Sequence, residues 1–434
     1  MKRKINFFAM KISAFAVKRS VNAVPAIRHI FYIFFIFLAL SCEIIDDDLD
    51  KHWLEDETVD INLKEVAHML SSLPLTAEQM GEVQDAVSSS STNGYDEEYM
   101  MLDLFEIPGK GVGEAETKTD RKVYETPLRD MIVAYVSQQA KSSQQTKSSC
   151  PCDMNFLNDL MKSDVQIYWP YSEDWDGETL PVITFDPDNG SDTNLGYKIV
   201  YKNGEHQVEE IVVDEEIAMK RPVWVVNNND DSSHKTLEVL RREGHFIEGG
   251  DIIIKPKLSP VQTFVKGNSV QGDSKPLRTL LLKDFTMNRH YDPWFAGASE
   301  FFVKIGAVEN FTASTEAELK LYVPTVTDFM IVVRRKNLGK KLPFNAILVS
   351  DWTEQMTDCA FLIVEDDGGK KTSWNATALV RVASKSYGIE ISLPFNQYDD
   401  IVWRGQLSAR FLTSTRNTVG HFGDIDLTFE FKEY

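Results

Sequence analysis

The hydrophobic pattern in the first part of the chain is helical. Apolar residues recur at Leu63, Val66, Leu70 and Leu73. This spacing predicts an amphipathic helix that ends at Pro74. Thr76 and Gln79 then form a capping-box pattern that predicts the start of a second helix, and Pro127 marks the start of a third. Together these patterns predict a helical region over residues 61–149.

Beyond Cys152 the pattern becomes extended. Strand-like runs cover residues 165–169, 180–185, 196–201, 207–213, 222–226 and 251–255. Asn203 and Gly204 separate two of these runs and predict a tight hairpin turn. Residues 153–268 are therefore predicted to form a mixed, mainly β domain.

The last part of the chain has the clearest pattern. Strand-like runs cover residues 277–282, 301–305, 319–323, 329–333, 346–349, 361–364, 376–382, 389–393 and 427–431. Turn-rich segments separate them, and no long helical pattern interrupts them, which is typical of an antiparallel β-sandwich over residues 276–434. The predicted fold class is thus a multidomain, mainly β protein. It has an N-terminal helical region, a central mixed domain and a C-terminal sandwich.

An unbroken apolar run precedes all of these elements. Residues 30–40 are all apolar or aromatic and stand behind a basic leader. Eleven residues are too few for a membrane-spanning helix, which needs about 17 to 25. The arrangement instead predicts a signal peptide. Met1 and Met10 both remain open as the start, because Lys11, Lys18 and Arg19 keep the leader basic in either case.

The end of this run resembles the lipobox of bacterial lipoproteins. Residues 39–42 read Ala-Leu-Ser-Cys, with Ala39 where Leu is commoner, and the acidic residues after Cys42 resemble the surface-export signal of Bacteroidota lipoproteins. The resemblance implies a signal peptide over residues 1–42 and acylation of Cys42. Residues 43–60 are acidic and mostly lack apolar periodicity, which predicts a tether. The resemblance also implies a lipid-anchored protein exposed at the bacterial outer membrane.

The chain is strongly acidic. It carries 46 Lys and Arg residues against 66 Asp and Glu residues. Removing residues 1–42, which hold seven basic residues and no acidic one, changes the net charge from −20 to −27. Because such a surface repels a polyanion, nucleic acid is excluded as a partner.

The cysteines do not indicate a disulfide framework. With Cys42 assigned to the lipid, Cys150, Cys152 and Cys359 remain, which is an odd number. A single bond from Cys150 or Cys152 to Cys359 stays open, since the sequence does not give the distances between them. The C-x-C pair has no second Cys or His pair at zinc spacing.

Acidic residues on the predicted loops of the sandwich are candidate metal ligands. They are Asp351, Asp358, Glu365, Asp366, Asp367, Asp399 and Asp400. If the loops that carry Asp366, Asp367, Asp399 and Asp400 meet at one end of the sandwich, their oxygens suit Ca²⁺. The favoured alternative is solvated loops, because acidic loop residues are expected at this net charge.

A second candidate group surrounds His290. With Asp292 and Trp294 it offers possible ligand contacts, and His245 lies in a similar segment. A His beside carboxylates can bind a metal or transfer protons, and an exposed aromatic ring can stack on a sugar. The competing interpretation is structural, with the His as a hydrogen-bonding residue and the aromatic rings in the core.

The sequence predicts a membrane-anchored extracytoplasmic lipoprotein with a binding or structural role at the cell surface. Its candidate ligands are a glycan, an envelope component such as a protein, and Ca²⁺. The alternative is an extracytoplasmic hydrolase, either a metallopeptidase that uses His245 and His290 or a glycosidase that uses paired carboxylates. The standard catalytic motifs are missing, but carboxylate-based glycosidases carry no short motif.

Overall fold

The computed structural model describes residues 61–105, 123–146, 154–187, 189–229, 236, 239, 278–414 and 417–433. They all belong to one compact unit, Thr58–Tyr434. The fold is mainly β, with 44% strand against 24% helix, which confirms the predicted fold class. The predicted signal peptide, lipid-bearing Cys42, tether and run 251–255 lie outside the described residues, as do Cys150, Cys152 and His245.

Three N-terminal helices begin where the sequence predicts, at Leu63, Ala77 and Leu128. The helices Met101–Phe105 and Met154–Leu160 are not among those that the sequence predicts. The helices of this part are α1 (Leu63–Ser71), α2 (Ala77–Thr92), α3 (Met101–Phe105), α4 (Leu128–Thr146) and α5 (Met154–Leu160). The capping box of α2 is confirmed, since the Thr76 N–H donates to Gln79 Oε1 at 3.0 Å and the Glu78 N–H donates to Thr76 Oγ1 at 3.2 Å. Among the described helices, none has the length and apolar character needed to cross a bilayer.

The first sheet has six strands in the order β1-β2-β6-β3-β4-β5. They are β1 (Glu98–Met100), β2 (Val165–Tyr168), β3 (Val182–Phe185), β4 (Asn194–Lys202), β5 (Glu205–Val213) and β6 (Val223–Asn228), with a short helix α6 (Glu215–Ala218) before β6. Only the β3 and β6 pair is parallel among the described pairs of this sheet. Asn203 and Gly204 join β4 to β5 with φ of 55° and 82°, which confirms the predicted hairpin turn.

The helices and the first sheet share one hydrophobic core. Leu70 of α1 and Met80 of α2 are buried in the same cluster as Trp169 and Trp224. Strand β1, which comes from the predicted helical region, also pairs with β2. The residues on which the predicted boundary falls, 149–153, lie outside the described part of the chain.

The C-terminal part is an antiparallel sandwich. Its strands are β7 (Arg278–Met287), β8 (Ser299–Ala307), β9 (Thr325–Val333), β10 (Leu342–Val349), β11 (Met356–Glu365), β12 (Lys371–Val382), β13 (Lys385–Asn396), β14 (Asp400–Ser408), β15 (Asn417–Phe422) and β16 (Ile425–Glu433). One sheet has the order β10-β7-β16-β15. The other has the order β13-β12-β11-β8-β9, with β14 paired to β11. A short helix, α7 (Ala409–Leu412), follows β14.

Aromatic side chains from the two sheets meet in the core of the sandwich. Phe285 and Phe301 face each other across the sheets with ring centroids 5.1 Å apart, and Phe361 meets Phe429 at 5.9 Å. The predicted run 319–323 is wrong as a strand, because Glu316–Leu321 forms a 3₁₀ helix. Leu321 and Val323 are 74% and 62% exposed, and of the alternating apolar residues only Leu319 packs, in part, against the core.

Candidate functional site

The predicted acidic residues meet at one end of the sandwich. Strand β11 ends at Glu365, which is the register partner of Asp400 at the start of β14. The turn after β11 and the segment before β14 are therefore adjacent. We call this group the acidic cluster; its members are Asp292, Glu365, Asp366, Asp367, Asp399 and Asp400. Asp358 is paired with Ser408 near the opposite end of β11 and lies outside the cluster.

Two members of the acidic cluster hold its loops in place. Asp366, which is 3% exposed, accepts hydrogen bonds from the Gly368 N–H at 3.1 Å and from Asn396 Nδ2 at 2.9 Å. Asp399, which is 8% exposed, accepts from the Asn396 N–H at 2.7 Å and from the Asp367 N–H at 3.4 Å. Their carboxylates thus satisfy loop N–H groups that would otherwise be buried without a partner.

Three other carboxylates approach one another closely. Asp292, Glu365 and Asp367 each offer an oxygen, and these oxygens all lie within 4.8 Å of one another. Glu365 is buried, Asp292 is half-buried and Asp367 is exposed, so the group opens towards solvent on one side. Oxygen ligands about 2.3 to 2.6 Å from a Ca²⁺ ion are separated by no more than roughly twice that distance. The spacing therefore suits a shared cation.

The electrostatics of the acidic cluster disfavour full ionisation. Partial burial and the neighbouring carboxylates, first that of Asp292, together raise the pKa of Asp367 to about 6. Burial and a hydrogen bond with Asp366 raise the pKa of Asp399 to about 6. Burial also raises the pKa of Asp292. Like charges brought together out of water make the charged form costly, and a cation would relieve that cost.

These raised pKa values predict an unusual dependence of stability on pH. A carboxyl whose folded pKa is raised above its unfolded value of about 4 stabilises the fold below that value. This contribution is lost as the pH rises through about 6. In the presence of a chelator, we expect the melting temperature to fall between about pH 4.5 and pH 7.

Asp367→Asn tests the source of this effect, because the substitution removes the charge from an exposed side chain. We expect the variant to be more stable than the parent at neutral pH by about 1 kcal/mol. A shift of one pKa unit corresponds to about 1.4 kcal/mol of stability. The expected gain is smaller than the full shift would give, because water screens an exposed carboxylate. Asp159→Asn, on an exposed position of α5, is the control. An identical pH profile for parent and Asp367→Asn would contradict the interpretation.

The structure places His290, Asp292 and Trp294, which the sequence predicts as ligand contacts, in three different surroundings. Asp292 joins the acidic cluster. Trp294 is 2% exposed, stacks on Phe295 at 3.9 Å and donates from Nε1 to the Asp192 carbonyl at 3.0 Å. Its ring therefore fills the contact between the sandwich and the first sheet. Burial lowers the pKa of His290. The charge of Arg335 lowers it as well, whereas the charge of Glu215 raises it.

A buried ion pair joins the sandwich to the first sheet, and sequence reasoning missed it. The Arg335 guanidinium donates to both oxygens of Glu215, at 2.5 and 3.1 Å, and to the Asp292 carbonyl at 3.0 Å. Tyr171 donates its hydroxyl to Glu215 at 2.9 Å. The two charged residues are 120 positions apart in the chain, so no local pattern could indicate the pair.

Glu97 lies close to this ion pair and is 2% exposed. Burial, together with the Asp96 carboxylate, raises the pKa of Glu97 to about 7, although Arg334 and Lys336 act in the opposite direction. Arg334 Nη1 lies 3.6 Å from a Glu97 oxygen, and Lys336 Nζ lies 3.8 Å from it. Glu97 therefore adds to the loss of stability as the pH rises towards 7.

Cys359 is a free thiol inside the sandwich. It is fully buried on β11, and its Sγ donates to the Leu407 carbonyl at 3.7 Å. Burial raises its pKa to about 12, so the thiolate form is disfavoured. It makes no disulfide with any described residue.

No protein-family model and no curated protein matches the chain. The proposals below rest on the residues and their geometry.

Proposed function

We propose that this chain is an exported, lipid-anchored protein with a binding role at the bacterial cell surface, and that the acidic cluster binds Ca²⁺. The apolar run 30–40, the lipobox-like residues before Cys42 and the acidic residues after it support the lipid anchor. The net charge of −27 for the chain after Cys42 suits a solvated surface outside the cell.

The oxygen geometry of Asp292, Glu365 and Asp367 is the observation that carries the cation proposal. Ca²⁺ takes six to eight oxygen ligands in flexible geometry, so three carboxylates and a few backbone or water oxygens suffice. Mg²⁺ is smaller and demands near-ideal octahedral geometry at about 2.0 to 2.1 Å, which makes it the weaker candidate for a site that is open on one side.

The described residues give no observation that favours the metallopeptidase form of the hydrolase alternative. His290 lies beside Arg335 and Glu215, and the lowered pKa favours its neutral form. His245 lies outside the described residues. The binding role therefore stays the proposal, with a glycan or an envelope protein as the candidate partner.

Thermal unfolding of the full chain in detergent tests the cation proposal. A ligand that binds only the folded state stabilises it by RT ln(1 + [L]/Kd), or about 2.7 kcal/mol at a hundredfold excess over Kd. We expect a higher melting temperature in millimolar Ca²⁺ than in excess chelator, because extracellular calcium modules have Kd values of about 10⁻⁴ to 10⁻³ M. Asp367→Asn should reduce this difference strongly and Asp159→Asn should leave it unchanged.

An unchanged melting temperature between chelator and millimolar Ca²⁺ would refute the cation site. The acidic cluster would then consist of carboxylates whose mutual repulsion the fold tolerates without a cation. If Ca²⁺ raised the melting temperature of Asp367→Asn as much as that of the parent, the Ca²⁺ would bind elsewhere on the chain.

A further inference from the structure

A pocket of about 170 Å³ opens beside the first sheet, and the acidic cluster contributes no residue to it. We call it the Trp175 pocket. One wall comes from the segment 169–179, which connects β2 to β3, and the other from residues 218–222, which connect α6 to β6. Pockets for drug-sized ligands have volumes of about 300 to 1,000 Å³. The Trp175 pocket therefore suits a ligand with a single ring.

The aromatic wall of the pocket is held rigidly. Trp169 is 1% exposed and packs edge-on against Trp175 at 5.8 Å and against Trp224 at 6.0 Å. The Trp175 Nε1–H donates to the Thr179 carbonyl at 2.9 Å, which fixes the indole while the ring stays half-buried. A fixed and partly exposed indole provides a rigid apolar surface for a ring-shaped ligand without losing side-chain entropy.

Tyr171 lines the same pocket in a strained conformation. Its φ is 60°, in the left-handed region that a bulky residue rarely adopts. The hydrogen bond from its hydroxyl to Glu215 holds it there, and Glu215 is in turn held by Arg335. Such strain persists only where the surrounding structure enforces it, and it is common at binding sites.

Arg221 supplies a donor that lacks a partner. Its Nη2 donates to the Leu180 carbonyl at 3.1 Å, but its Nε is buried and has no acceptor among the described residues. A buried donor without an acceptor is unfavourable, and a planar guanidinium is suited to a carboxylate. Arg221 therefore places a guanidinium charge in the wall of the pocket, and this charge favours a ligand with a carboxylate group.

The rest of the lining favours a ring that carries hydroxyl groups. Asp174 is exposed, and its carboxylate makes no hydrogen bond or ion pair with a described residue. A carboxylate accepts hydrogen bonds from hydroxyl groups, whereas an unsubstituted aromatic acid has none to offer. The second carboxylate of the lining, that of Asp176, is already bonded to Thr179. A ligand with one carboxylate is repelled less by this acidic surface than a polyanion is.

We infer that the Trp175 pocket binds a single sugar acid of monosaccharide size, free or at the end of an otherwise neutral glycan. The apolar face of the sugar ring packs on Trp175, its carboxylate meets Arg221 and its hydroxyl groups donate to Asp174. This inference deepens the proposed binding role and rests on it, but it needs neither the lipid anchor nor Ca²⁺.

Calorimetric titration of the full chain in detergent, in the presence of chelator, tests the inference with four probes. They are glucuronic acid, glucose, benzoate and a disaccharide that ends in glucuronic acid. We expect glucuronic acid to bind at least about tenfold more tightly than glucose, a difference equivalent to about 1.4 kcal/mol. Benzoate should bind more weakly than glucuronic acid. Tighter binding of the disaccharide than of the free acid would assign the ligand to a glycan end, and the reverse order would assign it to a free sugar acid.

Variants assign the binding to the pocket. Arg221→Gln should abolish the preference for glucuronic acid over glucose. Arg221→Lys keeps the charge without the planar fork and should retain only part of the preference. Trp175→Ala should weaken both sugars, with circular dichroism to show that the variant is folded. Arg410→Gln, at an exposed position of α7, is the matched control and should leave all affinities unchanged.

Equal binding of glucose and glucuronic acid would overturn the inference, as would a preference that survives in Arg221→Gln. Tighter binding of benzoate, or no saturable binding in the millimolar range, would also overturn it. If Ca²⁺ raises the melting temperature of the same preparation but no sugar binds, the inference about the pocket is rejected and the proposed function stays in place. Cleavage of the disaccharide would support the ligand class and reject the non-catalytic role.

Discussion

Replacing Cys42 with Ala is expected to abolish acyl labelling of the chain and to move it from the membrane fraction to the soluble fraction. The reason is chemical, since the Cys42 sulfur is the lipid acceptor that the lipobox resemblance assigns. Each buried CH₂ of an acyl chain contributes about 0.8 kcal/mol to membrane binding, so the loss of the acyl chains removes the anchor entirely. Radiolabelled or alkyne-tagged fatty acid, followed by membrane fractionation, measures both effects.

Ser41→Ala is the matched control for this experiment. It keeps a small residue before the cysteine, so labelling and membrane attachment should persist. Labelling that survives in Cys42→Ala would refute the lipoprotein assignment. A mature chain that begins at another residue, as shown by mass spectrometry of its N-terminus, would refute it as well.

Replacing Arg335 with Met is expected to lower the free energy of unfolding by about 3 kcal/mol, the low end of the range for breaking one partner of a buried ion pair. The low end applies because Glu215 keeps 25% of its side chain exposed, whereas Arg335 keeps 7%. The variant leaves Glu215 without its guanidinium partner and removes the donor to the Asp292 carbonyl. Urea denaturation measures the change. An unchanged slope of the unfolding free energy against urea concentration would show that the surface exposed on unfolding is unchanged.

Two further variants show whether the loss comes from the ion pair itself. The double variant Arg335→Met with Glu215→Gln should recover part of the stability, because no charge is then left uncompensated. Lys220→Met breaks the exposed pair of Lys220 and Glu216, whose side chains are 67% and 73% exposed, and should change stability little. An Arg335→Met variant as stable as Lys220→Met would show that the pair does not hold the sandwich to the first sheet.

The ion pair also connects the two proposals. Arg335 holds Glu215, Glu215 holds Tyr171 in its left-handed conformation, and Tyr171 lines the Trp175 pocket. On its other side, Arg335 donates to the backbone of Asp292 in the acidic cluster. Loss of Arg335 should therefore weaken sugar and Ca²⁺ binding together, whereas Arg221→Gln and Asp367→Asn should each affect one ligand.

Local patterns predicted most elements of the fold correctly. The capping box of Thr76 with Gln79 and the hairpin turn at Asn203 and Gly204 depend on residues a few positions apart, and both are confirmed. The run 319–323 shows the limit of such patterns. Its alternating apolar residues resemble a strand, but exposed Leu321 and Val323 find no sheet to pack on. Alternation alone cannot supply a hydrogen-bonding partner.

The sequence by itself determined the mainly β character, the acidity and the N-terminal pattern on which the proposed lipid anchor rests. All three depend on composition and on the spacing of residues close together in the chain. Only the tertiary structure decided which carboxylates meet. The pairing of Glu365 with Asp400 between β11 and β14 brings the two acidic loops together. The pairing of β8 with β11 brings Asp292, which lies before β8, beside them. The Trp175 pocket and the Arg335 pair likewise join segments far apart in the chain. Such contacts follow from strand order and register, which depend on the whole fold rather than on the local pattern of any one segment.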